Sequence, residues 1–454
     1  MANTYLSKSV STLGSRRKWV YSTWIKRSKI TDTQSFLMGY EDANNYTKCQ
    51  FDGSDRIQFS NVYGGSTTGQ KTTTAQYRDV NAWYHIYLVW NTSDPATADD
   101  RMQIWVNGVR VTSFHSDSNP GATTESAWNA NPTTHWIGAN DASSTHIFQG
   151  YMCQTCSIDG TAPAVTVFGS VDAGSGEWKP KADGEIRSAV TFGTNGFLLT
   201  YENTSYLGYD YQTSDRSGTT FDYTKNGAGL QSQDNPSNVF NTMNPLNIQS
   251  ASGTFYGANN EFDYNGDSTW RCIYSCMSNS TGKYYFEMKC GSTSDMFVGV
   301  IGTQDWKNAN GSAHNTATSY SMKSDGNLYN NNTSKAGGVS YTTNDVIGVA
   351  LDLTNGAIWF SKNNVWTNSA TISEIAAGTT TNAAYTGITT GVGYQYGPCG
   401  EGKESANQDF NFGNGYFGTG TAITSAGTNT AGIGLFEYDV PDNFTAWSTK
   451  GFNE

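Results

Sequence analysis

The sequence predicts an all-β protein in which two antiparallel β-sandwich (jelly-roll) domains are joined by an irregular connector. Three features of the 454 residues support this prediction: aromatic residues make up 13% of the chain, charged residues make up 15%, and 49 residues are glycine. Disordered chains lack so many aromatic side chains, and helix-rich chains carry far more Glu, Lys, Ala and Leu. Short strands that alternate with turns account for all three features.

The first domain, predicted over residues 1–165, contains clear strand and turn signals. The run 83–90 (WYHIYLVW) is largely apolar on both faces when it is read with the two-residue period of a strand, which indicates a central strand. Residues 102–106 (MQIWV) precede Asn107 and Gly108, the pair that suits a type I′ turn, so a hairpin is predicted there.

The segment 166–245 is predicted to be an irregular connector that packs on its neighbours. Strand periodicity weakens here, and the segment contains Pro180, Pro236 and Pro245. Aromatic residues are nevertheless frequent in it, which disfavours a flexible linker.

The second domain, predicted over residues 246–454, is again rich in strand signals. No proline occurs between Pro245 and Pro398, as expected for central strands that need every backbone N–H. The run 345–360 (DVIGVALDLTNGAIWF) predicts a second hairpin around its Asn-Gly pair.

Charge and hydrophobicity exclude two classes of partner. The net charge is −12, with a pI of about 4.9, and nucleic-acid binding requires a basic surface instead. No apolar run approaches the ~18 residues of a membrane span, so no membrane insertion is expected. Seven basic residues precede the first acidic residue, Asp32. They either protect the edge of a sheet or form a docking patch for an acidic partner.

Two sets of motifs resemble known domain families. The first domain resembles laminin G-like, concanavalin A-like lectin domains through 83–86 (WYHI), 102–108 (MQIWVNG), 136–138 (WIG) and 148–151 (FQGY). The second domain resembles SPRY domains through 282–287 (GKYYFE), 298–300 (VGV), the hairpin of 345–360 and 411–413 (NFG).

The order of these parts resembles virion structural proteins of tailed bacteriophages, particularly marine ones. The connector contributes 178–181 (WKPK), 194–197 (TNGF) and 243–246 (MNPL), and the ending 436–450 is also similar. The resemblance implies a homo-oligomeric tail fibre or appendage component of the virion that contacts other virion proteins and binds a glycan receptor on the host surface. Three alternatives stay open: a head decoration or tail adaptor protein, a glycan-active hydrolase on a lectin-like fold, and an intracellular SPRY-type interaction module.

Five residues are predicted to contact a ligand. A sugar ring stacks its C–H face on an aromatic side chain, while Asn and Asp bind its hydroxyls. Aromatic residues with such neighbours in predicted loops suggest Trp128, Asn129, Asp305, Trp306 and Tyr329. The alternative for each aromatic ring is an ordinary loop anchor or a subunit contact.

No catalytic residues are predicted, and the protein is expected not to be an enzyme. Glycosidases need two carboxylates across a cleft, and the nearest strings, 437–442 (EYDVPD) and 261–263 (EFD), lie outside the lectin-like domain. The five histidines are scattered, and no nucleophile elbow is present.

No cofactor is predicted, although one calcium ion stays open. Lectin-like sandwiches hold Ca²⁺ with Asp carboxylates at a loop rim, and the loop 91–100 offers Asp94, Asp99 and Asp100. These acids alternatively begin the next strand. Cys153 and Cys156 lack a second pair for zinc and are expected to be buried free thiols in a strand, with the disulfide state left open.

Overall fold

The computed structural model describes residues 4–94, 97–141, 145–216, 220–248, 253–292, 295–306, 312–418 and 420–453. By its contacts the chain divides into two compact units, an N-terminal unit, Ala2–Gln231, and a C-terminal unit, Ser232–Glu454. Residues 166–231, the larger part of the predicted connector, therefore group with the N-terminal unit. None of the helices in the described ranges is long and apolar enough to cross a membrane.

The N-terminal unit is built almost entirely from strands. They are β1 Tyr5–Val10, β2 Lys18–Arg27, β3 Gln34–Asp42, β4 Asn45–Phe51, β5 Ile57–Tyr63, β6 Ser66–Thr73, β7 Trp83–Asn91, β8 Met102–Val106, β9 Val109–Arg110, β10 Phe114–Ser118, β11 Thr133–Ile137, β12 Gly150–Asp159, β13 Gly169–Val171, β14 Trp178–Pro180, β15 Phe197–Leu199 and β16 Thr224–Asn226. One short helix, α1, spans Asp183–Ala189, and 3-10 turns span Ala98–Asp100 and Val165–Val167.

Two antiparallel sheets form the N-terminal sandwich. One has the order β10-β6-β5-β4-β3-β11-β1-β16, and the other has the order β15-β12-β2-β7-β8-β9. Their facing sides enclose a core that includes Phe36 and Phe59 from the first sheet and Ile86 and Leu88 from the second. A hydrophobic core between two sheets is what the alternation of apolar side chains specifies.

A third layer explains why β7 is apolar on both faces. Its inward side chains, such as Leu88, enter the core between the sheets. Its outward side chains, Tyr87 and Val89, pack with Phe168 and Ile186 from the segment that follows β12. The predicted connector thus covers the outer face of the sheet, and β7 is central as predicted.

The basic N-terminal residues do not protect a sheet edge, so that expectation is wrong. β2 lies between β12 and β7 and is paired on both sides. Arg27 is fully buried and forms an ion pair with Asp55 at 3.0 Å. Arg16 contacts Glu41 at 3.5 Å, and the pairing of these cations inside their own unit reduces the basic surface left for a partner.

The C-terminal unit is a second sandwich. Its strands are β17 Met243–Ile248, β18 Thr254–Tyr256, β19 Glu261–Asp263, β20 Asp267–Ser275, β21 Lys283–Cys290, β22 Met296–Gly302, β23 Tyr320–Lys323, β24 Leu328–Asn330, β25 Thr333–Lys335, β26 Val346–Asp352, β27 Ala357–Lys362, β28 Val365–Trp366, β29 Tyr385–Thr386, β30 Tyr396–Glu404, β31 Asn407–Asn411, β32 Tyr416–Phe417, β33 Thr421–Ala422 and β34 Thr445–Ala446. The helix α2 spans Ile372–Ala376, and 3-10 turns span Gly257–Asn259, Thr303–Asp305, Ala313–Asn315, Thr367–Ser369 and Gly451–Asn453.

The sheets of the C-terminal unit have the orders β17-β20-β30-β22-β23-β24-β25 and β18-β19-β31-β21-β26-β27-β28. Met288 and Val349 from the second sheet meet Val298 and Met322 from the first in the core. The C-terminal segment covers the outer face of the second sheet, where Phe436 packs in a cluster with Tyr285. The predicted fold class, two antiparallel β-sandwiches in an all-β chain, is confirmed.

Both predicted hairpins are present. Val106 pairs with Val109 across Asn107 and Gly108, whose φ angles of 48° and 77° are those of a type I′ turn. The second hairpin joins β26 to β27 through a longer loop, 353–356. In that loop the Asp352 carboxylate accepts hydrogen bonds from the backbone N–H groups of Thr354 and Asn355, each at 2.9 Å.

Candidate functional site

Asp305 and Trp306 lie together where β22 ends in the C-terminal unit. The Trp306 ring stacks on Tyr274 of β20, with ring centroids 5.7 Å apart and planes at 19°. Asp305 accepts a hydrogen bond from the Thr318 hydroxyl at 2.7 Å. Both predicted residues are partly exposed, so their side chains keep surface for a ligand.

Tyr329 belongs to the same region because the segment 312–320 links the two positions. The backbone N–H of Asn331, two residues after Tyr329, donates to the Thr316 carbonyl at 3.1 Å. The N–H of Asn332 donates to the His314 carbonyl at 2.9 Å. The segment that holds Asp305 through Thr318 therefore also holds the turn after Tyr329. The two positions belong to one sheet face, but Tyr274, on which Trp306 stacks, and Tyr329 are four strands apart in register, about 19 Å.

A buried His–Glu pair supports this region. The Glu401 carboxylate contacts Nδ1 of His314 at 2.7 Å and accepts the His314 backbone N–H at 3.0 Å. Burial raises the pKa of Glu401, although the hydrogen bond with His314 opposes the shift. The pair fixes the turn Ala313–Asn315 against the sheet.

Aromatic rings surround His314. Phe297 stacks on it at 4.5 Å with planes at 8°, while Tyr329 and Trp270 meet it edge-on at 5.7 Å and 5.6 Å. The Lys403 ammonium lies 5.2 Å from the centre of the Trp270 ring, a cation–π distance. We name the set Trp270, Tyr274, Phe297, Trp306, His314 and Tyr329 the aromatic face.

Sequence reasoning missed Trp270 and His314. Trp270 begins the alternating run of β20, in which Trp270, Cys272 and Tyr274 share one side of the strand. That alternation is a signal that could have placed Trp270 beside Tyr274. His314 is joined to Glu401 across 87 positions, and no local signal indicates such a pair.

Trp128 and Asn129 are not exposed loop residues, so this part of the expectation is wrong. The Trp128 ring is fully buried and stacks on His135 at 3.5 Å with planes at 3°. Asn129 is also buried and donates to the Asp159 carboxylate and to the Ser15 carbonyl, each at 3.2 Å. These contacts hold the loop inside the N-terminal sandwich and leave no ring face for a sugar.

The acids of the loop 91–100 point to different partners. Asp94 contacts Lys18, Asp99 accepts a hydrogen bond from Asn119 at 2.6 Å, and Asp100 pairs with Arg110 at 2.7 Å. Pro95 and Ala96, in the same loop, lie outside the described residues. Within the part of the chain that the structure describes, no three His, Cys, Asp or Glu side chains are grouped to hold a metal ion. Calcium binding therefore stays a prediction without a ligand set to support it.

The two glycosidase-like segments, 437–442 and 261–263, are engaged in other contacts. The backbone N–H groups of Glu437 and Tyr438 donate to the buried carboxylate of Glu287, each at 2.9 Å. Glu261 lies opposite Asp409 in the ladder between β19 and β31. Burial, and then the charge of Glu261, raises the pKa of Asp409 to about 7. The Asp409 atom Oδ1 is buried near Gly418, whereas Asp409 and Glu261 as whole residues are partly exposed.

The cysteines are free thiols, and both Cys153 and Cys156 lie in β12. Cys156 is buried, as expected, whereas Cys153 is partly exposed.

Comparison with known proteins identifies two domains. Residues 2–155 match the concanavalin A-like lectin/glucanases superfamily, and residues 283–380 match the SPRY domain. The chain thus carries a laminin G-like, concanavalin A-like domain and a SPRY β-sandwich domain. No curated protein matches the chain.

Solved structures are similar to parts of the chain. The SPRY domain of human HERC1 is 16% identical with a TM-score of 0.30, and the match covers 37% of this chain and 96% of that one. A heptameric SAP-like pentraxin from Limulus polyphemus is 16% identical with a TM-score of 0.27, covering 36% of this chain and 72% of that one. A human SPRY domain is 16% identical with a TM-score of 0.27, covering 35% and 94%.

Proposed function

We propose that this protein is a non-enzymatic structural component of a bacteriophage virion, in a tail fibre or appendage, and that it binds glycans on the host surface. The chain combines two domains of classes that serve binding, a lectin-like domain and a SPRY domain. The resemblance of the whole chain to tailed-phage structural proteins supports the location in the virion.

The aromatic face is the observation that carries the binding part of the proposal. Trp306 and Tyr329 are partly exposed, and each ring rests on another aromatic ring that fixes its orientation. Asp305 lies beside Trp306 as a hydrogen-bonding partner for hydroxyl groups. Rigid aromatic rings beside a carboxylate suit a sugar ring, because the C–H face stacks while the hydroxyls donate.

Weak sites act through copy number in this proposal. A fibre that repeats one chain presents several aromatic faces at once, and the second and later contacts form at a high effective concentration. A homo-oligomer is therefore part of the proposal, with other virion proteins as its remaining partners.

Mass spectrometry of purified virions tests the location. We expect peptides of this chain in particles that have passed through a density gradient, at a constant ratio to the major capsid protein. Absence from such particles would contradict the virion proposal.

Host adsorption tests the aromatic face. We expect the double variant Trp306→Ala/Tyr329→Ala to lower the binding of the full chain to host cells, while Tyr40→Ala, which removes an exposed aromatic side chain from the N-terminal unit, leaves binding unchanged. If the double variant bound host cells as strongly as Tyr40→Ala and the unchanged chain do, the aromatic face would not be the binding site. Release of reducing ends from bound glycan would favour the hydrolase alternative instead.

A further inference from the structure

A cleft opens at the edge of the N-terminal sandwich, and its lining includes Asp99 and Asp100 of the loop 91–100. It lies where β6 and β10 of one sheet face β8 and β9 of the other, and its volume is about 360 Å³. Charged and aromatic side chains line it: Lys71, Asp99, Asp100, Arg110, Phe114 and Asp117. Ligand pockets begin at about this size, and one or two sugar rings fit such a volume.

Lys71 is the buried centre of the cleft. It lies directly opposite Asp117 in the ladder between β10 and β6, and its Nζ is 2.5 Å from the Asp117 carboxylate. The same Nζ is 3.8 Å from the carboxylate of Asp99 and 4.5 Å from the centre of the Phe114 ring. The Lys71 side chain is only 3% exposed, whereas those of Asp117 and Asp99 are 41% and 70% exposed. The ammonium thus pairs with Asp117 and lies near Asp99, and both of these acid side chains stay exposed to solvent.

Arg110 arranges the opposite wall in the same way. Its guanidinium pairs with Asp100 at 2.7 Å and donates to the Asp99 carbonyl at 2.8 Å. The hydrogen bond from Thr97, and then that from Arg110, lowers the pKa of Asp100, so this carboxylate is ionised at neutral pH. The three acids and two bases leave the lining with a charge of 2 − 3 = −1.

The lining therefore presents fixed carboxylate oxygens around an apolar floor formed by Met102, Val111 and Phe114. Hydroxyl groups donate to such oxygens, and the C–H face of a sugar packs on such a floor. An anion would meet three carboxylates whose counter-cations are already engaged, so electrostatic repulsion disfavours it.

We propose that this cleft binds an uncharged sugar ring, a hexose or an N-acetylhexosamine. The proposal rests on the glycan-binding function proposed above, and it adds a site in the N-terminal unit and a selection against acidic sugars. A purely structural reading is the alternative: inward-pointing charges at a sheet edge also prevent edge-to-edge association.

Saturation-transfer difference NMR on the full chain separates these readings. The probes are glucose, galactose, mannose and N-acetylglucosamine, together with glucuronic and galacturonic acid. We expect a signal from at least one neutral sugar and at least about tenfold weaker binding of the matching uronic acid. Equal binding of the neutral and acidic members of a pair would overturn the selectivity and with it the proposal.

Two tryptophan substitutions on one stretch of chain locate the binding. Thr112 is exposed and lines the cleft, so Thr112→Trp should block it and abolish the signal. Ser118 is exposed at the end of β10 and is not part of the lining, so Ser118→Trp should retain the signal. Asp99→Asn, at a largely exposed side chain, provides a second cleft variant if Thr112→Trp does not fold, and it should weaken binding several-fold.

The outcomes distinguish this inference from the proposed function. Sugar binding that survives Thr112→Trp and Asp99→Asn overturns the cleft and leaves the glycan-binding function in place. If no probe gives a signal but the chain still binds host cells, the cleft is likewise overturned and the glycan-binding function stays in place. No signal together with no host-cell binding overturns both.

Discussion

Trp128 in the N-terminal unit and Trp306 in the C-terminal unit share a local sequence pattern but occupy opposite environments. Each has small or polar neighbours, SAWN at 126–129 and QDW at 304–306. Trp128 is fully buried against His135, whereas Trp306 is partly exposed and lies on Tyr274. A tryptophan among polar residues thus marks a point where a loop is anchored, and long-range packing decides whether the ring keeps a face for a ligand.

The largest expected effect separates the two tryptophans by stability. Trp128→Ala leaves a cavity in the N-terminal core, and we expect the free energy of unfolding of that unit to fall by about 3–5 kcal/mol. Urea unfolding of the full chain, with hydrogen exchange to assign the transition to its unit, measures the change. The matched variant Trp306→Ala should leave the N-terminal transition where it is. A loss below about 1 kcal/mol for Trp128→Ala would contradict the buried assignment.

A second prediction concerns the His314–Glu401 pair, which supports the aromatic face. Glu401→Gln replaces one of the two carboxylate oxygens that contact Nδ1 and the backbone N–H of His314 by an amide N–H₂ and removes the charge of this buried pair, at a cost of about 1–3 kcal/mol. We expect faster hydrogen exchange in 312–320 and weaker binding at Tyr329. Glu404→Gln is the control because Glu404 is 57% exposed at the end of the same strand. Unchanged exchange in Glu401→Gln would show that the pair does not hold the turn.

The third prediction compares a carboxylate of each unit: Asp55, which is buried, and Asp409, which is partly exposed. In the N-terminal unit Asp55 is paired with Arg27 and Arg78. In the C-terminal unit Asp409 has Glu261 beside it, and its pKa is raised to about 7. Because the folded state binds this proton more tightly than the unfolded chain, the stabilisation is complete below about pH 4 and is lost as the pH rises through 7.

Asp409→Asn should remove this loss of stability above pH 7, because the amide does not ionise. Each unit of pKa difference corresponds to about 1.4 kcal/mol, and partial solvent exposure reduces the observable gain at pH 8 to about 2 kcal/mol. Thermal unfolding at pH 5 and pH 8 measures it, and part of the pH dependence should persist because the pKa of Glu287 is also raised to about 7. If wild type and variant had the same free energy of unfolding at pH 8, ionisation of Asp409 would not destabilise the folded state.

The elements that could be predicted depend on neighbours in sequence. The hairpin at Asn107 and Gly108 is specified by its own residues, and the two-faced apolar run of β7 indicated a central strand. The central position of β2 depends on pairing with β12, more than a hundred residues away, and the basic residues near β2 suggested an edge instead. Long-range pairing of this kind leaves no periodic signal in the strand that is paired.

The candidate sites follow the same rule. Asp305, Trp306 and Tyr329 were predicted because loop aromatics beside Asn or Asp are a local pattern. His314 and Glu401 are 87 positions apart, and Lys71 and Asp117 are 46 positions apart. The sequence singled out Asp99 and Asp100 of the cleft as acids of one loop, but their neighbour Lys71 and the His314–Glu401 pair depend on partners on other strands and left no local signal.

The smallest expected effect on stability is that of Trp306→Ala, and it tests the comparison of Trp306 with Trp128 most directly. Trp306 covers Tyr274 from the solvent side, so Trp306→Ala should lower the free energy of unfolding of the C-terminal unit by only about 1 kcal/mol. Its effect on ligand binding should be larger, because losing an aromatic stacking surface costs about 1–2 kcal/mol, which is roughly tenfold in affinity. Isothermal titration of the folded variant with glycan extracted from the host surface measures this, and Val365→Ala, at an exposed apolar residue of β28, is the control. If Trp306→Ala changed stability more than affinity, Trp306 would resemble Trp128 and the two units would use their loop tryptophans in the same way.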